Sequence, residues 1–151
     1  MNNTRRSVLK TSGALGTLVA LGLITEKQAL AQANRAGFEA KTLADALKSV
    51  GGTAANSDQV TVVAPDIAEN GAVVPVGATS KIPNTTEIYL IVEKNPTPMA
   101  AGFKIPAGTA ADVQTRLKMG QSTNVIAVVK ADGKLFSASK ETKVTLGGCG
   151  G

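Results

Sequence analysis

Asn124-Val125-Ile126-Ala127-Val128-Val129-Lys130-Ala131-Asp132-Gly133-Lys134-Leu135 is the stretch on which the fold turns. Val125 to Val129 is an unbroken apolar run, the pattern of a central strand covered on both faces. Asp132-Gly133 directly behind it is a hairpin signal, because a two-residue type I′ turn needs positive φ at both central positions. Working outward, Ile88-Tyr89-Leu90-Ile91-Val92 is a second continuous apolar run of the same kind. Short runs broken by Gly, Pro and Asn predict strands at Gln59–Val63, Ala72–Val76, Glu87–Glu93, Met99–Lys104, Asp112–Met119, Asn124–Lys130, Leu135–Ser139 and Lys143–Leu146. In the fifth, Val113, Thr115, Leu117 and Met119 alternate with Asp112, Gln114, Arg116 and Lys118, the period of a half-buried strand; a helix from Ala110 is the competing reading. The six prolines fall at ends or edges of these runs, where a missing amide hydrogen is tolerated. The spacing predicts an all-β, immunoglobulin-like sandwich of about seven strands.

One helix precedes the strands. In FEAKTLADALKSV, residues 38–50, Phe38, Leu43, Ala46, Leu47 and Val50 share a face, and Gly51-Gly52 supplies the stop. The chain has 151 residues, 43% hydrophobic and 18% charged, which is one domain's worth. With many Ala and Val and no Trp, its core is thin, and some apolar surface is left for a partner.

Composition excludes much chemistry. His is absent, which removes a Ser-His-Asp triad, a His-ligated metal and the commonest general base. A single Cys forbids an intramolecular disulfide and any site needing several thiolates, so no metal site is expected. Four aromatics, Phe38, Tyr89, Phe103 and Phe136, are too few for a base-stacking surface.

The N-terminus reads as an export signal. Thr4-Arg5-Arg6-Ser7-Val8-Leu9-Lys10 precedes a weakly apolar stretch from Thr11 to Ile24, and Ala29-Leu30-Ala31 meets the small-residue cleavage rule. The Arg5-Arg6 pair resembles a twin-arginine signal, the address of proteins exported already folded. Its apolar stretch of about 14 residues falls short of the roughly 20 that span a bilayer, so no membrane anchor is expected. Cleavage after Ala31, with Ala33 as the alternative, leaves residues 32–146 as the domain and 147–151 as a tail. The net charge of +5 drops to +2 once Arg5, Arg6, Lys10, Lys27 and Glu26 leave with residues 1–31. Nothing basic enough to call for nucleic acid remains.

The tail carries the chemistry: Gly147-Gly148-Cys149-Gly150-Gly151. At a background glycine frequency of about 7%, four glycines around a given Cys arise by chance roughly 2 times in 100,000. Such a run predicts a flexible, narrow tether able to place Cys149 on the order of 10 Å beyond Leu146, inside a cleft of another protein. Thiolate is the reactive form, yet no base stands near Cys149 in sequence, so activation must come from outside. Joining the thiol to a sulfur compound oxidatively releases two electrons, and nothing here predicts a bound cofactor. An external acceptor is implied.

Three rival readings remain in the residues. A ubiquitin-like carrier also ends in Gly-Gly, but its activation consumes ATP, which an exported protein does not meet. A copper(I) chaperone could pair Cys149 with Met99 or Met119. An immunoglobulin-like binding module with an incidental or metal-binding Cys is the third.

The twin-arginine signal, Ile67-Ala68-Glu69-Asn70-Gly71-Ala72-Val73-Val74-Pro75-Val76 and the terminal GGCGG together resemble the SoxY family. That family is the carrier of the periplasmic Sox sulfur-oxidation system and is not enzymatic. The resemblance implies a heterodimer with SoxZ, Cys149 as the covalent attachment site, and Gly147, Gly148, Gly150 and Gly151 as a swinging arm. It further implies that SoxXA links thiosulfate to the thiol, that SoxB releases sulfate, and that SoxCD oxidises the remaining sulfur. A disulfide dimer through Cys149 is expected in oxidised samples.

Overall fold

The computed structural model describes residues 35–145. The chain divides into compact units Met1–Ala36 and Gly37–Gly151, and every strand described lies in the second. Its helix α1 spans Leu43–Val50. The backbone is helical through residue 39, breaks at 40–42 and restarts, so the helix expected over 38–50 is shorter and Phe38 lies outside α1. The cause is Thr42, which sits at φ −127°, ψ 152° and accepts the Asp45 amide on its Oγ1 at 3.1 Å, an N-cap that starts a new helix. Gly51, at φ 135°, ends it as expected, and the Gly52 amide returns to the Leu47 carbonyl at 2.8 Å.

Nine strands follow: β1 (Ala55–Asn56), β2 (Val60–Val63), β3 (Ile67–Ala68), β4 (Val74–Ser80), β5 (Thr85–Val92), β6 (Met99–Lys104), β7 (Asp112–Leu117), β8 (Thr123–Ala131) and β9 (Lys134–Val144). The larger sheet runs β1-β9-β8-β5-β6, with β3 also on β9, and the smaller runs β2-β4-β7. Pro75 is the second residue of β4, registered with Arg116 of β7, and the β2 ladder starts only at Gly77, so the prolyl nitrogen needs no partner.

The eight candidate strands become nine through one merger and two additions, not the expected count of about seven. The candidate strands 135–139 and 143–146 are one strand, β9, because β8 pairs straight through Lys140, Glu141 and Thr142. Polar residues at a turn-like position stay extended because the incoming segment satisfies them. Lys140 donates to the Ala64 carbonyl at 2.6 Å and sits 3.0 Å from the Asp66 carboxylate, while the buried Thr142 hydroxyl donates to the Pro65 carbonyl at 2.9 Å. Two short parallel bridges, β1 on Phe136–Ser137 and β3 on Lys143–Val144, supply the rest. The strand placed at 72–76 starts at Val74, since Asn70 holds Ala72 and Val73 in a turn through its side-chain and main-chain oxygens. Residues 112–117 are extended, against the helical alternative from Ala110.

Both apolar runs are covered on both faces. Ile88, Leu90 and Val92 of β5, with Val125, Ala127 and Val129 of β8, pack against Val74, Val76, Ala78, Val113 and Leu117 of the smaller sheet. Their alternates Ile91 and Val128 join Ala46 and Val50 of α1, Met99 and Leu135. Each Val, Leu, Ile or Met side chain among them contributes about 1.5–3 kcal/mol by leaving water, and each Ala less.

The β8–β9 turn has Asp132 at φ 48° and Gly133 at φ 73°, the expected type I′ geometry. A Cβ at Gly133 meets no neighbour within 4 Å, so only the backbone conformation opposes a side chain there. Gly133→Val is expected to lower unfolding free energy by about 1–2 kcal/mol in urea titrations. Tyr89 donates to the Glu87 carboxylate at 2.6 Å, and burial, then that hydrogen bond, push its phenol well above the usual tyrosine range. Unfolded tyrosine loses its proton near pH 10 while the folded one keeps it, so this group's stabilisation is complete below about pH 10 and falls above it. The urea midpoint of Tyr89→Phe should therefore decline less than wild type between about pH 9 and 11.5.

Candidate functional site

Cys149, Gly147, Gly148, Gly150, Gly151, Arg5, Arg6 and Ala31 all lie outside the described residues. What the structure does describe is the anchorage of the chain that leads to Cys149, the last turn of β9 through Thr145. Its outer edge is held by β3. The Lys143 amide donates to the Asp66 carbonyl at 2.9 Å, and the Thr145 amide to the Ala68 carbonyl at 3.1 Å. The Thr145 hydroxyl adds a bond to the Glu69 carbonyl at 3.3 Å. On the other side Ser122 accepts the Val144 amide on its Oγ at 2.8 Å.

Two further loops brace this root. Gly71 accepts the Met119 amide at 2.7 Å, and a Cβ there would stand 2.5 Å from the Met119 carbonyl oxygen and 2.8 Å from Val144 Cγ1. Only glycine lets the three segments close to this distance. Asn95 bridges the next turn, donating to the Lys118 carbonyl at 2.8 Å and accepting the Gly120 amide at 3.3 Å. The Lys94 amide donates to Thr123 Oγ1 at 3.2 Å. Residues 66–71 and 118–122 thus meet at the final residues of β9, and loop 93–95 is tied to 118–123 behind them. In the sequence, 67–76 carries the family resemblance and a predicted strand at 72–76, but nothing local marks Ile67–Gly71 or Ser122 as bracing the root, or Asn95 as tying 118–120.

The rest of the described surface offers little chemistry. A cavity of ≈ 420 Å³ between α1 and the larger sheet is lined by Ala44, Leu47, Ile126, Ser137 and Ser139 among others. One of ≈ 430 Å³ lies by Ser80, Thr85, Ile105 and Thr109. Neither is lined by any residue of the root. Among the described residues no three His, Cys, Asp or Glu side chains come together as a metal site. Met99 and Met119 are buried in different cores, one under α1 and one between the sheets, so they are packing residues and the copper reading loses its ligands. Among the described residues no helix is long and apolar enough to cross a membrane.

The model of the family described as sulfur oxidation protein SoxY matches residues 46–149. The chain belongs to the SoxY family. The structure of the sulfur carrier protein SoxY from Chlorobium limicola f thiosulfatophilum is 37% identical, with a TM-score of 0.63, covering 70% of this chain and 97% of that one. Two others are far more distant. A chain in a structure of T cell specificity and activation by the bacterial superantigen toxic shock syndrome toxin-1 is 10% identical (TM-score 0.41, 57% of this chain, 99% of that one). The human F-spondin reeler domain is 11% identical (TM-score 0.38, 62% and 93%). No curated protein matches. Family membership makes the chain a sulfur carrier of a sulfur-oxidation system rather than an enzyme.

Gly71 is the tightest point of the root. Gly71→Ala is expected to cost about 1–3 kcal/mol by forcing Met119 and Val144 apart. Hydrogen exchange should quicken first at the Val144 and Thr145 amides, before the central β5 and β8 amides respond.

Proposed function

We propose that this chain is the periplasmic carrier on which intermediates of thiosulfate oxidation ride as covalent adducts of Cys149, swung between enzymes on the Gly147-Gly148-Cys149-Gly150-Gly151 arm. The observation that carries this reading is a family match that runs through residue 149, the position of the chain's one cysteine. A braced root at Thr145 supports it, because a short tether delivers its thiol reproducibly only if its base is fixed. The two-sheet sandwich is immunoglobulin-like in this reading, and Arg5-Arg6 directs export of the folded protein before cleavage after Ala31.

The chemistry follows from one thiolate. Cys149–S⁻ and thiosulfate join as Cys149–S–S–SO₃⁻ with release of two electrons, which SoxXA, a c-type cytochrome enzyme, accepts. Water then attacks the sulfonate sulfur in SoxB, freeing sulfate and a proton and leaving a Cys149 persulfide. SoxCD takes six electrons from that sulfane sulfur while three waters supply oxygen and six protons leave, giving the S-sulfonate Cys149–S–SO₃⁻, from which hydrolysis in SoxB frees a second sulfate and regenerates the thiol. SoxZ is the heterodimer partner, and a disulfide between two Cys149 thiols forms when samples oxidise. Every redox centre resides on a partner; this chain contributes the thiol and its presentation.

Intact-mass measurement of protein isolated from periplasm of thiosulfate-grown cells tests this. Wild type should carry reductant-labile adducts of about +112 (thiosulfonate) and about +32 (persulfide), and Cys149→Ser should carry neither and abolish thiosulfate-dependent turnover. Thiosulfate-dependent turnover by Cys149→Ser would overturn the reading.

A further inference from the structure

Cys149 lies four residues beyond Thr145. A trans chain advances at most about 3.6 Å per residue, so the Cys149 Cα lies no more than about 15 Å from that of Thr145. An enzyme that works on the sulfur inside a cleft must therefore press the mouth of the cleft against the surface surrounding Thr145. Docking is not optional for so short a tether.

That surface presents an inverted pattern. β3 consists of Ile67 and Ala68: the small Ala68 is buried in the inter-sheet core, whereas the larger Ile67 is 59% exposed. Six residues on, Val74 is fully buried while its neighbour Val73 is 52% exposed. Ile67 and Val73 are the two most exposed of the large apolar side chains described. Folding alone gives no reason to leave them there, since an apolar side chain held in water forgoes the free energy of burial. Both belong to the segment that grips the root. Ile67 is registered with Lys143, and Val73 closes the Asn70 turn that sets Gly71 against Val144. The segment is tied down by main-chain bonds, so a partner would find these side chains already in place and little ordering entropy would be lost on contact.

We infer that Ile67 and Val73 form the docking surface for the enzymes that act on the Cys149 adduct, an apolar contact matched by apolar side chains around the entrance of each enzyme's arm cleft. The inference rests on the carrier reading above. A contact of this size suits a cargo protein that must leave as readily as it arrives, because weak, transient encounters sit at the small end of interface areas. The identical surface serves successive enzymes because each must approach the same root within the same reach.

The test uses the carrier paired with SoxZ and loaded with thiosulfate on Cys149, with sulfate release by SoxB followed as the carrier concentration is varied. Ile67→Ser with Val73→Ser is expected to raise KM at least about 5-fold while kcat at saturation stays within about 2-fold, the pattern of lost docking without lost chemistry. Alkylation of Cys149 by iodoacetamide and the thermal midpoint should be unchanged, and Ile67→Val with Val73→Ile should restore the KM. An unchanged KM, an equal fall in kcat, or loss of the SoxZ heterodimer on gel filtration would each overturn the inference; the last would assign the patch to the subunit interface. Failure of the carrier reading is seen separately, as turnover surviving Cys149→Ser.

Discussion

The β8–β9 ladder is the interaction on which the rest of the domain depends. Nine registered pairs, from Thr123 with Thr142 to Ala131 with Lys134, hold the two strands together around a turn that only positive φ allows. On one face the ladder carries the smaller sheet, on the other α1, and along its free edge the two parallel bridges β1 and β3. Because β9 is paired over its full length, the strain of bracing its last residues is spread through the whole sheet. A register slip of one residue would turn Val125, Ala127 and Val129 from the inter-sheet core to the helix side and move the root with them.

The domain divides labour between stiffness and reach. The last residues described, Lys143 to Thr145, are tied by main-chain and side-chain hydrogen bonds to Asp66, Ala68, Glu69 and Ser122, and the chain's one cysteine stands four residues farther on. A tether of four residues limits how far from Thr145 the Cys149 backbone can stand.

Much of this was legible in the residues. Continuous runs at 88–92 and 125–129 announced strands buried twice over, since alternation disappears when both faces meet apolar neighbours. The Asp-Gly pair announced the hairpin, and Gly51 the end of α1, because each needs a backbone conformation that few residues adopt. Less legible was anything set by distant partners. Lys140-Glu141-Thr142 looked like a break and is mid-strand, because Ala64, Pro65 and Asp66 satisfy it from more than 70 residues away. The helix read over 38–50 was split by a threonine whose capping bond competes successfully with helix continuation.

By itself, then, the sequence determined the class of fold, the hairpin at its centre, the single thiol and the absence of histidine. These are local properties: periodicity, turn chemistry and the inventory of functional groups. Only the tertiary structure decided that Ile67–Gly71 and Ser122 meet at the end of β9, and that Ile67 and Val73 face water beside it. No local pattern encodes such a meeting, because it depends on which strand edges remain free after the two sheets have packed.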